Sequence, residues 1–411
     1  MGIPVSQPIG RGAAFVGCYL PRACGIATFT TDLAESSARC ANMHQTISAV
    51  AMDDEAEEYA WPKRVRFSIR QECFADYERA ARFLNELPID AVSIQHEYGI
   101  FGGEDGSYVL SLMRHLNRPI VVTCHTIRKR PTRAQREIMI EMAARARRLV
   151  VMNRLGEEFL VSRYRIPREK IVLIPHGIHE LPFRDARRTG ELFGVDGRVL
   201  LTFGLLHSKK GIEYMIEALP RILDKHPDVT YIVLGRTHPK IAMMEGEGYR
   251  MGLERLVERL GIGSAVRFIP RFLTLHELLE YLAATDIFIT PYVTREYITS
   301  GALAYAVGSG TAVVSTPYWY ASELLADGRG CLVPMRSARA LARTVIRLLD
   351  DEVLLENIRR KAYAFSRPMV WTNVARAYLR LFTEVSAPAV RRPVRMLPAS
   401  RDPAPVILPP Q

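Results

Sequence analysis

Nowhere in the chain do about 18 apolar residues run together, so no helical membrane span is expected. The opening stretch "MGIPVSQPIGRGAAFVGCYL" has no long apolar segment of the export-signal kind, and export is not expected either. Cysteine is sparse: the six residues at 18, 24, 40, 73, 124 and 331 form no C-x-x-C pair and no metal-ligand spacing. That pattern speaks against a disulfide scaffold or a zinc site and for a reduced, cytoplasmic protein. No G-x-G-x-x-G follows an apolar strand, which leaves a nicotinamide dinucleotide site unsupported, and Gly204 to Gly211 does not match the phosphate loop of nucleoside triphosphatases. The acidic run Met52 to Glu55 reads as a surface loop rather than a metal site.

Charge is the one compositional bias. Lys and Arg number 55 against 44 Asp and Glu, giving +11, which suits an anionic partner. The densest basic segment, Arg128 to Arg148, holds eight basic residues and two glutamates, with Ile138, Met142 and Ala146 at helical spacing. One face of that helix packs, and the arginine face is either simply solvated or a contact surface for an anionic membrane. No aromatic residue interleaves with these arginines, so nucleic acid is not expected as a partner.

Short apolar runs alternate with helical patterns along the whole chain, the mark of parallel α/β sheets. The first half offers strands at 13–17, 46–52, 89–95, 119–124, 148–152 and 170–175, and the second at 198–203, 229–234, 265–269, 286–290, 311–316 and 331–334. Between them, Glu180 to Gly197 has no comparable apolar run and reads as a connection. The architecture expected is α/β, two Rossmann-like doubly wound parallel-sheet domains in tandem facing a central cleft. The domains are placed at 1–185 and 195–366. A helix over 367–386 carries Trp371, Val374, Tyr378 and Phe382 on one face and needs a partner surface. Ala387 to Gln411, with seven prolines and four arginines, reads as a disordered tail.

In such sheets ligands sit beyond the carboxyl ends of strands, so the turns there are searched for chemistry. Five stand out: the loop ending in Gly25, which opens a helix; "HEYGIFGG" with His96 and Glu97; "HTIRKR" with His125; "GLLHSKKG" with Lys209 and Lys210; and "EYITSGALAYAVGSG" from Glu296. Each is weak alone, since a histidine at a strand end is often a structural hydrogen bonder. The small residues after Ser300 have two readings, tight helix-to-sheet packing or a helix N-terminus left open for phosphate. A basic pair at one helix start and an open N-terminus at Ser300 and Gly301 are suited to converge on one diphosphate and neutralise it as it leaves.

These stretches, in this order, resemble the retaining glycosyltransferases of family four over about residues 13 to 386. The motifs that carry the likeness include "PRACGIATF", "QHEYGIFGG", "VVTCHT", "GLLHSKKGIEYMIEALP" and "SGALAYAVGSGTAVVSTPY". The resemblance implies a GT-B fold and metal-independent, cofactor-free transfer of sugar, with retention, from a nucleotide-diphospho-sugar to a carbohydrate or lipid-linked hydroxyl acceptor. It makes the first domain the acceptor side and the second the donor side, with the last helix crossing back onto the first. It places Lys210 on the donor diphosphate and Ser300 and Gly301 where backbone N–H groups meet phosphate, with the adjoining Lys209 and Ala302 read as further donor-binding residues. Gly25 falls in the loop facing the donor, His125 beside the transferred sugar, Glu323 near the nucleotide, and His96 and Glu97 on the acceptor side. The departures are Tyr297 and Tyr305, which stand where many members carry two glutamates, and Leu205 in place of an arginine. Glu296, next to the first of these positions, is the candidate substitute. An epimerase or phosphorylase on the same fold, and a weakened relative that only binds sugar or a partner, stay open as alternatives.

Overall fold

The computed structural model describes residues 12–41, 46–55, 58–183, 194 and 197–387. Most of the connection between the two halves, and the tail beyond residue 387, lie outside them. The first half forms a seven-stranded, wholly parallel sheet from β1 (Gly12–Gly17), β2 (Thr46–Asp53), β3 (Val65–Arg70), β4 (Ala91–His96), β5 (Ile120–Cys124), β6 (Arg148–Val151) and β7 (Ile171–Leu173). Its order is β3-β2-β1-β4-β5-β6-β7. The second half forms a six-stranded parallel sheet from β8 (Val199–Phe203), β9 (Thr230–Leu234), β10 (Val266–Ile269), β11 (Ile287–Thr290), β12 (Ala312–Ser315) and β13 (Cys331–Leu332), in the order β10-β9-β8-β11-β12-β13. Twelve of the thirteen strands coincide with apolar runs in the sequence. The exception, β3, has only an alternation of Val65, Phe67 and Ile69, as befits an edge strand half-covered on one face.

Both sheets reverse their strand order beside their first strand, between β1 and β4 and between β8 and β11, which puts a crevice at the carboxyl ends of each. Helix α1 (Gly25–Cys40) covers one face of the first sheet with Phe29 and Leu33, both nearly inaccessible. Each such side chain contributes roughly 1.5–3 kcal/mol by leaving water. The last helix, α14 (Trp371–Ser386), lies against α1 and the first sheet, not the second: Phe382 meets Phe15 at 5.8 Å between ring centres, and the Tyr378 hydroxyl lies 2.9 Å from Thr123 Oγ1. The chain therefore passes between the lobes near Ile178 and again near Val370, and the two passages bond to each other. Ile178 N–H donates to Met369 O at 2.9 Å, and Trp371 N–H to Ile178 O at 2.8 Å.

Helix α10 (Gly301–Ser309) decides between the two readings of its small residues, and both hold at different ends. A Cβ on Gly308 would come within 2.7 Å of the Ile178 side chain, so close packing requires glycine there. Gly310 closes the helix in the left-handed region at φ 75°. At the other end Gly301 and Ala302 are only half-buried, and their amides have no partner within the helix.

Candidate active site

The carboxyl ends of the two sheets face each other across the cleft, and contacts between the lobes define it. From the first lobe, His125 follows β5 and its carbonyl accepts from Thr299 Oγ1 at 3.1 Å. Asn153, the N-cap of α5 (Arg154–Tyr164), donates to Ile298 O and accepts from Gly156 N–H at 2.7 Å. Asp32 on α1 receives the Tyr305 hydroxyl at 2.8 Å and His179 Nε2 at 3.0 Å. His176 Nδ1 lies 2.7 Å from Gly177 O, which leaves Nε2 facing Gly301, where a Cβ would lie 3.1 Å away.

In the second lobe Lys210 meets the loop that leads from β11 into α10. Lys210 Nζ donates to the Tyr292 hydroxyl at 2.6 Å, and Tyr292 lies on the loop that ends at Ser300, the N-cap of α10. Ser300 Oγ in turn accepts from Leu303 N–H at 3.3 Å. The loop is set by Gly211, in the left-handed region at φ 64°, whose missing Cβ would sit 2.3 Å from Pro291 O. Val293 N–H donates to Lys209 O at 3.1 Å and seats the same loop on the segment after β11. Lys209 itself is exposed. The Tyr292 ring stacks on Tyr318 at 4.8 Å and meets Tyr297 edge-on at 5.2 Å, so the lysine stands against an aromatic wall.

Burial sets the protonation states. Removal from water pushes the Lys210 ammonium down to about 8. Desolvation, with Lys210 a lesser cause, takes His207 to about 3, and its Nε2 is 3.5 Å from the Tyr297 hydroxyl. Burial brings His125 to about 3 and His176 to about 4, so both rings are neutral near pH 7. His125 Nε2 lies 2.9 Å from Gln95 Oε1, and Gln95 Nε2 donates to Ser93 Oγ at 3.0 Å, which assigns the His125 proton to Nε2.

Several expected roles need revising. His96 is fully buried, packed against Tyr98 and Phe101, and offers nothing to an acceptor; its carbonyl instead receives His125 N–H at 2.9 Å. Glu97 caps its own turn, accepting from Gly99 N–H at 2.7 Å. Glu296 points outward and lies 3.8 Å from Arg128 of the first lobe, a loose pair at an exposed rim. Glu323 accepts from Arg154 N–H at 2.9 Å and Leu155 N–H at 3.3 Å; its carboxylate caps α5 of the opposite lobe rather than standing free for a nucleotide. Gly25 has nothing within 4 Å of where a Cβ would stand. Tyr305 and Tyr297 differ in place: the first binds across the cleft to Asp32, the second lines the wall beside Lys210. Tyr292, Gln95, Asp32 and Asn153 were not singled out by the sequence, although Tyr292 sits just past β11, where strand-end residues belong. Among the described residues no group of three or more His, Cys, Asp or Glu is arranged to hold a metal, and no helix is long and apolar enough to cross a membrane.

On the basic helix α4 (Arg133–Arg145), Ile138 and Met142 are buried as their spacing predicts. Its charge is partly neutralised: Arg133 pairs with Glu137 at 2.8 Å and Arg145 with Glu141 at 3.0 Å. Lys129, Arg130 and Arg136 remain exposed.

Two family models match the chain, one in each lobe: Glycosyltransferase Family 4 over residues 24–180 and Glycosyl transferases group 1 over residues 197–351. A phosphatidyl-myo-inositol mannosyltransferase of Mycolicibacterium smegmatis is 24% identical over 66% of this chain and 67% of its own length. A D-inositol 3-phosphate glycosyltransferase of Streptomyces avermitilis is 27% identical over 67% of this chain and 62% of its own. The chain thus matches about two thirds of the length of these relatives. Among solved structures, sucrose-phosphate synthase from Thermosynechococcus elongatus superposes with a TM-score of 0.73 at 17% identity, covering 91% of this chain and 99% of that one. Anabaena Alr3699/HepE in complex with UDP and glucose superposes with a TM-score of 0.72 at 16% identity, covering 90% and 99%. With two facing parallel-sheet lobes of the GT-B type and both lobes matched, the chain belongs to the group 1, family 4 glycosyltransferases.

Proposed function

We propose that this protein transfers a sugar from a nucleotide-diphospho-sugar to a hydroxyl acceptor with retention of anomeric configuration and without a metal. The observation that carries the reading is that Lys210 is bonded to Tyr292 on the loop that opens α10, so the ammonium and the open helix start belong to one loop at the mouth of the interlobe cleft. An ammonium and helix N-terminal amides at one spot suit a departing diphosphate, because they are in place before negative charge develops there. The acceptor hydroxyl attacks the sugar from the side on which the diphosphate leaves, and the leaving oxygen takes its proton. No carboxylate base is needed, in keeping with Glu296 at the rim and Glu323 on α5. His125, neutral and pinned by Gln95 and Thr299, orients rather than titrates. Contacts across the cleft from Asp32, Asn153 and Glu323 keep the lobes together around the donor and limit its hydrolysis.

The acceptor in this reading is an anionic or lipid-linked carbohydrate or polyol held by the first lobe, whose Lys129, Arg130 and Arg136 face solvent and suit a charged head group or an anionic membrane surface. The names of the inositol-directed relatives support that class. The test is a panel of nucleotide sugars incubated with inositol phosphates and lipid-linked glycans, reading acceptor-dependent release of nucleoside diphosphate with and without chelator. One donor should react, with chelator making no difference and the product keeping the donor's anomeric configuration. Isomerised donor without acceptor, a requirement for free phosphate, or nucleotide binding with no transfer across the panel would each overturn the proposal.

A further inference from the structure

In the second lobe, α12 (Ala338–Asp350), α13 (Glu352–Ser366) and the edge strand β13 line a groove of about 860 Å³ that shares none of the residues described at the cleft. Small-molecule sites commonly have volumes of about 300–1,000 Å³, so this one is large enough to hold a ligand. Three cations line it and no carboxylate does: Arg343 and Arg347, one turn apart on α12, and Lys361 on α13. All three are exposed, and among the described residues none of their side chains enters a hydrogen bond or an ion pair. Gly328, in the left-handed region at φ 75°, leaves room for Lys361 Nζ, which lies 3.2 Å from where a Cβ would stand. The carboxylates of the bordering segments are engaged elsewhere. Asp327 pairs with Arg329 at 2.8 Å, Glu352 with Arg198 at 2.8 Å, and Glu356 with Arg359 at 3.0 Å and Arg360 at 2.6 Å. Asp350 lies 3.0 Å from His226 Nε2, and Asp351 accepts from Leu354 N–H at 2.8 Å. The positive charge of the groove is thus left without a partner from its own surroundings.

The rest of the lining is largely apolar. Leu332 on β13 is 43% exposed, Leu354 at the start of α13 is half-buried, and Leu348 and Ile358 lie beneath them. We propose that this groove binds one anionic phospholipid molecule, its phosphate on Arg343, Arg347 and Lys361 and the first methylenes of its acyl chains on Leu332 and Leu354. Both halves of the lining are needed to select that class. Guanidinium forks and an ammonium with no competing carboxylate suit a phosphate, and a free phosphate would leave the apolar part of the groove uncovered.

A second copy of this chain is the poorer occupant, because each copy carries +11 and the groove itself is basic, so like charges would meet. The groove is on the second lobe and the arginine face of α4 is on the first, so the lipid proposed here is not the acceptor of the proposed transfer and does not rest on that reading.

The experiment is calorimetric titration of the full-length protein with dihexanoyl phosphatidic acid, kept below its critical micelle concentration. Dihexanoyl phosphatidylcholine, with the same chains and no net charge, and inorganic phosphate, with the charge and no chains, are the comparators. The phosphatidic acid should bind at least about tenfold more tightly than either, since each comparator supplies one half of the match. Arg347→Glu and Lys361→Gln should each weaken its binding by roughly tenfold or more, the size of one charge-assisted contact, and Leu332→Asp should weaken it too. Arg259→Glu, at the end of α8 (Gly248–Arg259) in the same lobe, should change it by less than about twofold, as an exposed charge outside the site does. All four residues are exposed, and a melting curve on each variant checks that it folds; Lys361→Gln carries the test should Arg347→Glu fail to do so. Absence of binding, or phosphatidylcholine or phosphate binding as tightly as the phosphatidic acid, would overturn the proposal. So would binding that survives Arg347→Glu and Lys361→Gln unchanged, as it would if the lipid sat on α4, or that falls equally in Arg259→Glu. None of these readouts involves sugar transfer, so failure here and failure of the proposed function are separate results.

Discussion

The Lys210 ammonium donates to the Tyr292 hydroxyl at 2.6 Å and lies 4.3 Å from the centre of that ring, so this half-buried cation is held in place before any donor arrives. Its ionisation gives the first prediction. Burial lowers the ammonium to about 8, so it is charged below that pH and neutral above it. Because kcat/KM reports the free enzyme, kcat/KM for the donor should fall as pH rises through about 8. Lys210→Ala should lower it by roughly 100-fold or more and abolish the limb. Lys210→Arg, which stays charged throughout, should also abolish the limb. A limb unchanged in Lys210→Arg would assign it to another group. Tyr292→Phe removes the acceptor for Lys210 while keeping the ring, and should weaken donor binding more than it changes the melting temperature.

His125 gives the second prediction, and its sign is opposite to what a histidine beside a reacting sugar suggests. Burial takes it to about 3, and its proton sits on Nε2 toward Gln95. It is neutral near pH 7. The acid side of the rate profile should therefore show no ionisation between pH 5.5 and 7 assignable to His125, and His125→Gln should leave the profile's shape unchanged. Its cost should stay below the roughly 100-fold or greater loss that removal of a general acid or base brings. A shape change confined to the pH range near 6.5 in the wild type and absent from the variant would mean that the ring titrates.

Glu323 carries the third. Its carboxylate receives the first two amides of α5 from across the cleft, at 2.9 Å and 3.3 Å. Loss of a helix cap costs about 1 kcal/mol, here distributed over the contact between lobes. Glu323→Ala should lower the melting temperature, and Glu323→Gln, which keeps an acceptor oxygen, should restore most of it. The resemblance assigns this residue to the nucleotide; if that role dominates, both variants should instead raise KM for the donor equally with little change in melting.

Most of the fold was legible because parallel strands buried on both faces read as continuous apolar runs. β3 escaped because only Val65, Phe67 and Ile69 mark it, on an edge. At the site, the strand-end position of Lys210 and the Ser300 turn could be read from local sequence, since a helix start needs only neighbours. The roles of Glu323 and Tyr305 could not, because each is decided by a residue far away in the chain: Glu323 meets residues 154 and 155, and Tyr305 meets Asp32. A family position predicts which backbone site a residue occupies. It does not predict which partner its side chain finds when neighbouring positions have also changed, as tyrosines at 297 and 305 show.

The last prediction concerns the passage of the chain between lobes. Gly177 has no room for a side chain: a Cβ there would lie 2.2 Å from the Trp371 ring, which is itself 3% exposed and packs 5.1 Å from Phe29. The glycine and the tryptophan thus fill one space, next to the paired segments at Ile178 and Val370. Trp371→Ala should destabilise by about 3–5 kcal/mol through the cavity it leaves. Gly177→Ala alone should also destabilise, since the added methyl has to displace the indole. The double variant tests the geometry, because the methyl would then enter the cavity that the missing ring leaves. Its cost, from urea unfolding, should fall short of the sum of the two single costs by roughly 1 kcal/mol or more, the size of coupling expected for residues in contact. Strict additivity would mean that the two side chains do not compete for the same volume, and that α14 is seated on the first lobe by something other than Trp371.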